Sequence, residues 1–215
     1  MFLKILYLLL KAIANPKRFF FIRRINKKNK SAIAYNASVD IVGKLDILEG
    51  CNLDSGVIVT VPKNARLSLG IGVHIGKESE IGVGRLITIG NHTSIQVRSI
   101  LLGNIRIGRG CVFAPNLYMS SGIHHFRDVP ELPIKIQDIR AREFVDAESD
   151  VDIKSITIGD DCWLGINVVV MPGVTIGKGC VVGANSVVTS DLPPYSIAVG
   201  APARVIKKRL NFVTL

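Results

Sequence analysis

The stretch ITIGDDCWLGINVVVMPGVTIGKGCVVGANSVV, from Ile156 to Val188, carries one aliphatic side chain every six residues. These are Ile158, Leu164, Val170, Ile176, Val182 and Val188, and glycine follows directly at Gly159, Gly165, Gly177 and Gly183. Four residues beyond each aliphatic position lies a small or slim side chain: Cys162, Val168, Val174, Cys180 and Ser186. A period of six matches neither a helix at 3.6 nor an alternating strand at 2. It matches a short strand and a turn, repeated, with each segment sending one aliphatic side chain into a shared core. Glycine after it suits a tight turn or close backbone packing. Such units cannot bury their apolar sides alone and must stack, so the stretch predicts a β-solenoid of hexapeptide repeats.

The same period runs through most of the chain. Further series are Ile89, Ile95, Leu101, Ile107, Phe113 and Met119, then Leu69, Ile75, Ile81 and Ile87, and a weaker one at Ile41, Ile47, Leu53 and Val59. The four cysteines, Cys51, Cys111, Cys162 and Cys180, all fall at the small inward place, with neither CxxC nor metal-ligand spacing. They read as buried free thiols in a reducing cytoplasm. Between Met119 and Ile158 the period breaks, over a stretch with Pro130, Pro133 and alternating charges. A long insertion in a solenoid points to function, because loops carry chemistry while the scaffold carries stability.

The chain has 215 residues, 48% apolar and 6% aromatic, enough for a core built on Val, Ile and Leu and too apolar for a disordered chain. Its formal charge is +10, from 27 cations and 17 acids. Nine of those cations lie in residues 1–30, which hold no acid, and the remainder is nearly neutral. The body has no basic stripe with interleaved aromatics, which argues against a nucleic-acid partner. Met1 to Ala14, MFLKILYLLLKAIA, is too short to span a bilayer core and carries its cations inside the apolar run, unlike a secretory signal. Apolar anchors beside cations suit an interfacial helix on an anionic membrane. A helix that caps the core or packs in an oligomer is the alternative. The expected division is a basic amphipathic arm at 1–30, a repeat domain at 31–209 with a loop inserted at about 120–155, and a tail at 210–215.

Ile156 to Arg209 closely resembles the C-terminal signature of hexapeptide-repeat acyltransferases, with W-x-G at Trp163, P-G-V-x-I-G from Pro172, V-G-A-x-S-V-V from Val182 and G-x-P-A-R-V-I from Gly200. Upstream, APNLYMSSGIHHFRD resembles a segment of the sugar and polysaccharide O-acetyltransferases of the colanic-acid or capsule type. The resemblance implies an all-β fold, a left-handed parallel β-helix with an N-terminal helical arm, a long excursion loop and a short C-terminal helix. It also implies a homotrimer with active sites between subunits. Left-handed crossovers run against the usual rule for parallel strands, so the hand comes from the resemblance alone.

Acyl transfer from a thioester to a hydroxyl needs a base for the proton and donors for the oxyanion. By the resemblance His124, in the G-x-H place, is the catalytic base, and no covalent intermediate is implied. His125 stands where relatives often carry Asp, so the two histidines could exchange roles. Asn116 and Ser120 could orient the histidine or meet the acceptor. Trp163 is expected beside the pantetheine arm, and amides near Gly165 and Ile166 on the thioester or oxyanion. Ala184, Thr189 and Ser190 are expected along the groove, with Arg204 and Lys207 on the phosphates of coenzyme A. His74 and His92, eighteen residues apart, read as surface positions that could stack on one face. An adjacent histidine pair with no third His downstream is a poor metal site, so no metal is expected. The implied activity is acetyl-CoA-dependent O-acetylation of a free or lipid-linked sugar in surface-polysaccharide assembly, at the cytoplasmic side of the inner membrane. A non-catalytic trimeric scaffold, or an enzyme for a small nucleotide sugar or amino sugar, is the alternative.

Overall fold

The computed structural model of the chain describes residues 15–144 and 154–209. Strands stack in parallel around a filled core, and equivalent residues in neighbouring coils sit about one 18-residue repeat apart, as Tyr118 beside Ile100. Face one is the ladder of Ala32–Ile33, Asn52–Leu53, His74–Ile75, Ser94–Ile95, Val112–Phe113, Trp163–Leu164, Val181–Val182 and Ser196–Val199. Face two contains Ser38–Ile41, Ile58–Val61, Tyr118–Ser120, Val169–Val170 and Val187–Val188. Face three contains Lys44–Ile47, Arg66–Leu69, Ile156–Ile158 and Thr175–Ile176. Two longer strands, Glu80–Ile89 and Ile100–Ile107, run across faces two and three. This is the left-handed parallel β-helix that the resemblance implies.

The period of six locates the core. Every aliphatic position of the last three series is buried, as are Leu53 and Val59, while Ile41 and Ile47 in the first coil are half-buried. Each fully buried aliphatic side chain contributes roughly 1.5–3 kcal/mol relative to exposure. Phe113 is the one aromatic among the largest fully buried side chains described.

The corners repeat as regularly as the faces. All four cysteines are free and buried. Cys51 donates to the Gly70 carbonyl at 3.1 Å, Cys111 to Gly159 at 3.2 Å, Cys162 to Gly177 at 3.2 Å and Cys180 to Pro193 at 3.1 Å. Each thiol ties its corner to the next coil, as the Thr93 hydroxyl does at 2.8 Å on Gly108. Burial pushes the Cys51 and Cys180 thiols up, and the neighbouring Cys111 thiol together with burial does so for Cys162. The hydrogen bond with Cys162 instead lowers Cys111, which is equally buried at its corner; Cys51, Cys162 and Cys180 are packing thiols.

Both ends of the stack are closed. Helix α1, Pro16–Asn29, starts at Asn15, whose side chain accepts from the Arg18 amide at 3.1 Å, with proline at the first turn where a missing N–H costs nothing. It lies over the first coil with Ile22 fully buried and Ile25 against the core. The Asn26 side chain exchanges two hydrogen bonds with Ile33, accepting from its N–H at 2.8 Å and donating to its carbonyl at 3.0 Å. Asn29 donates to Ile47 at 2.7 Å, and Phe19 stacks on Tyr35 at 4.9 Å. Thus the described part of the arm caps the core, and residues 1–14 lie outside the described residues. At the other end Arg204–Lys208 forms a strand antiparallel to Ser196–Val199, where a short C-terminal helix is expected. An exposed edge offered by the last coil favours strand pairing over a free helical turn. The tail at 210–215 lies outside the described residues.

The insertion leaves after Ser120 and returns at Ile156 without disturbing register. Tyr118 pairs with Val169 of the next coil, and Ile156 pairs with Ile105 of the coil below. Within it, helix α2 spans Ile134–Phe144.

Candidate active site

The excursion turns its first residues back onto α2. Pro133 accepts from the amides of Ile136 and Gln137 at 2.9 and 3.1 Å and starts the helix. Gln137 is buried; it accepts from the Val129 amide at 3.2 Å and donates to the Leu132 carbonyl at 2.8 Å. The next residue, Asp138, holds the histidine segment. Its Oδ1 accepts from the His125 amide at 2.8 Å and its Oδ2 lies 2.7 Å from His124 Nδ1. The His125 amide, and then the His124 ring, hold the Asp138 carboxyl below its usual range. An ionised carboxylate only accepts, so Nδ1 of His124 donates, and in the neutral ring Nε2 carries the lone pair. The His124 side chain is 79% exposed, against 17% for Asp138. His125 is turned aside, with Nδ1 2.9 Å from Asp128 and its side chain 24% exposed. A cleft lined by Ile123, His124, His125, Phe126, Arg127, Asp128 and Lys154 opens at this point.

The donor-side residues fall into two groups. Trp163, exposed, stands on face one between Val112 and Val181, and the corner after it carries Gly165 and Ile166. Gly165 lies under Ala184, where a Cβ would come within 2.7 Å of the Ala184 nitrogen. Its own amide donates to the Val182 carbonyl at 2.8 Å and is committed to the ladder. The Ile166 amide has no acceptor among the described residues, while the Ile166 carbonyl accepts from Asn185 at 2.9 Å. Of the two expected amide donors, then, only Ile166 has an N–H to offer. Thr189 and Ser190, both exposed, follow Val187–Val188 at the other edge of face two, the edge from which the excursion leaves. Arg204 pairs in register with Val199 and Lys207 with Ile197, both exposed on the closing strand. Within one chain, the His124 cleft and the Trp163–Ile166–Ala184 corner lie at opposite edges of face two.

Several expectations resolve differently. Asn116 belongs to a corner ladder: it accepts from Arg98 at 3.1 Å and donates to Asn167 at 2.9 Å, and Asn167 donates to Asn185 at 2.9 Å. These three asparagines have φ of 61°, 58° and 58°, the left-handed conformation that Asn tolerates. The Ser120 hydroxyl accepts from the Gly122 amide at 3.3 Å and so shapes the exit of the excursion. Neither side chain is bonded to His124. His74 and His92 do not stack. His74 sits on face one between Asp54, at 3.2 Å, and Ser94, at 3.4 Å, while His92 occupies a corner at φ 57°. Among the described residues no three His, Cys, Asp or Glu side chains group as metal ligands. Sequence reasoning missed Asp138, Asp128 and Gln137. Gln137 and Asp138 lie early in α2 and Asp128 precedes it, and no sequence pattern marks any of the three.

Comparison with known proteins agrees with this architecture. Residues 155–190 match the family described as bacterial transferase hexapeptide (six repeats). A solved hexapeptide-repeat-containing acetyltransferase of Vibrio cholerae O1 biovar eltor, complexed with acetyl coenzyme A, is similar at 29% identity and a TM-score of 0.52, covering 66% of this chain and 70% of that one. Among curated relatives, a "Probable acetyltransferase" of Mycobacterium tuberculosis is 37% identical over 107 residues, 49% of this chain and 31% of that protein. A "Probable macrolide acetyltransferase" of Lysinibacillus sphaericus is 37% identical over 108 residues, 49% of this chain and 60% of that protein. The chain thus spans from about a third to three fifths of the length of these curated relatives. The coils, the period of six and the matched segment agree: residues 155–190 carry the bacterial transferase hexapeptide repeat.

Proposed function

We propose that the chain is an acetyl-CoA-dependent O-acetyltransferase acting on a sugar hydroxyl in surface-polysaccharide assembly. The observation that carries this reading is the exposed His124 imidazole, fixed through Nδ1 by Asp138 at 2.7 Å at the mouth of an open cleft. That arrangement leaves Nε2 free to take a proton from a hydroxyl. The likeness to the Vibrio cholerae enzyme supports acetyl-CoA as the donor. The sugar acceptor rests on the resemblance of APNLYMSSGIHHFRD to sugar and polysaccharide O-acetyltransferases.

In the reaction, Nε2 of His124 accepts the hydroxyl proton as the oxygen attacks the acetyl carbonyl; the tetrahedral intermediate then breaks its C–S bond, and the departing thiolate of coenzyme A takes that proton from the imidazolium. Asp138 keeps the ring in the donating tautomer at Nδ1 and stabilises the imidazolium that forms. The free amide of Ile166 meets the carbonyl oxygen as negative charge grows on it. Trp163 and Ala184 offer an apolar wall for the pantetheine arm, and Arg204 and Lys207 offer charge to its phosphates. Holding both substrates together supplies much of the acceleration.

His124 and Ile166 occupy different edges of one coil, so a complete site requires a neighbouring subunit. The outward residues support a homotrimer. In the C-terminal coils faces one and two carry Val112, Trp163, Val181 and Ile197 beside Ile100, Tyr118, Val169 and Val187, whereas face three carries Arg106, Thr157 and Thr175; in the N-terminal coils face one carries the polar Asn52, His74 and Ser94. The first two faces would close against one another and leave the third in water. The test is acetyl-CoA turnover with candidate sugars, wild type against His124→Ala. Loss of turnover in the variant supports the assignment, and equal turnover in both removes His124 as the base.

A further inference from the structure

Helix α1 has two faces, and only one of them is needed to close the β-helix. Its inward face is Ile22, Ile25, Asn26 and Asn29, spent on the core and on the first coil. At helical spacing the opposite face is the stripe Lys17, Phe20, Arg24 and Lys27. All four are exposed, Phe20 by 60%. Arg23 and Lys28 flank the stripe, together with Phe21, itself 39% exposed. The helix contains no acid. Of the nearby acids, Glu49 is engaged by Lys30 at 2.8 Å and Asp46 by Arg66 at 2.7 Å. Around this end the first coil adds two exposed aliphatics, Val42 and Leu48. No helix among the described residues is long and apolar enough to cross a membrane.

We infer that this outer face of α1 is a docking surface for an anionic lipid bilayer, with the coil stack standing on its N-terminal end. Cations spaced around exposed aromatic rings match a headgroup layer, where each basic side chain gains attraction to anionic lipid and the rings enter the interface. A nucleic acid fits less well. The stripe is one helix long and lies on the end of the rod, with no groove to track a strand. The geometry also fixes an orientation. The cap sits at the end of the coil axis, so three chains packed side by side would present three such faces in one plane. The inference is independent of the chemistry at His124.

The experiment uses the full chain, with sedimentation on vesicles of neutral phosphatidylcholine alone or containing anionic phosphatidylglycerol. The variant Lys17→Gln/Arg24→Gln/Lys27→Gln leaves Ile22, Asn26 and Asn29 untouched, so the cap stays folded, and it retains residues 1–14. Wild type is expected to partition onto anionic vesicles in low salt and to release in high salt. The variant should bind about 100-fold more weakly, at roughly a fivefold loss per cation. A second variant, Phe20→Ser, should weaken binding without abolishing its salt dependence. Equal binding of wild type and triple variant would overturn the inference, as would binding to neutral vesicles alone. Retention of an RNA oligomer by a wild type that ignores anionic vesicles would overturn it too. Acetyl transfer to a soluble acceptor is expected to be the same in wild type and triple variant, which separates this test from that of the proposed reaction.

Discussion

The coils and the excursion hold themselves together in opposite ways. In the coils every contact recurs. The corner thiol reaches the next coil four times, and the asparagine ladder joins three successive corners. In the excursion each contact occurs once: Asp138 to His124 and His125, Gln137 to Val129 and Leu132, His125 to Asp128. Repetition spreads stability over many equivalent interactions, so that losing one costs a fraction of the total. The single contacts position one imidazole and little else. Stability and the proposed chemistry therefore reside in separable parts of one chain.

Substitutions can break that separation or sharpen it. The largest expected effect is His124→Ala, which should lower kcat by up to about 10⁴-fold while the Tm stays near wild type. A large fall in Tm on circular dichroism would mean that the excursion supports the coils after all. Next comes Phe113→Ala, expected to destabilise by about 3–5 kcal/mol in denaturant titration, with turnover per folded molecule unchanged. Asp138→Asn should lower kcat by about 10²-fold at unchanged Tm, because the amide no longer enforces the donating tautomer at Nδ1. A change in KM alone would instead assign Asp138 to acceptor binding. Asn167→Ala, in the middle of the corner ladder, should cost only about 1 kcal/mol and leave kinetics intact.

The smallest expected effect concerns pH. Asp138 has its carboxyl held below the ordinary value by the His125 amide and the His124 ring. A depressed folded-state value means that the carboxylate's contribution is present above the ordinary carboxylate range and is lost as pH falls through the lowered value. Hydrogen exchange at the His125 amide should accelerate across that acid window, while amides such as Leu164 in the coils stay protected. Equal acceleration in both would show the two regions melting as one.

How much of this was legible in the sequence follows the same division. The period located the inward side chains, and Cys111 and Cys162 at their corners, because each coil repeats the environment of the last. The first coil read weakly for a physical reason: Ile41 and Ile47 face the capping helix instead of another coil and are half-buried. The insertion was recognisable only as a break in the period. Nothing periodic marks Asp138 as the partner of His124, since their meeting depends on how one loop folds onto one helix. Likewise the commitment of the Gly165 amide to the ladder appears only once the coils are stacked. Nothing periodic marks Asn26 in the basic arm either, yet its side-chain amide occupies both backbone groups of Ile33.

That last pairing has a consequence for how long such a molecule can be. A stack of coils offers at each end the same row of hydrogen-bonding groups that joins its own layers, which is a template for endless growth from chain to chain. At the first coil the side chain of Asn26 occupies the N–H and carbonyl of Ile33, and at the last coil the strand Arg204–Lys208 returns in the reverse direction. A reversed strand cannot serve as the next parallel layer. The two stoppers turn a sequence pattern with no intrinsic limit into a rod of fixed height, and they keep one chain from becoming the seed of a filament.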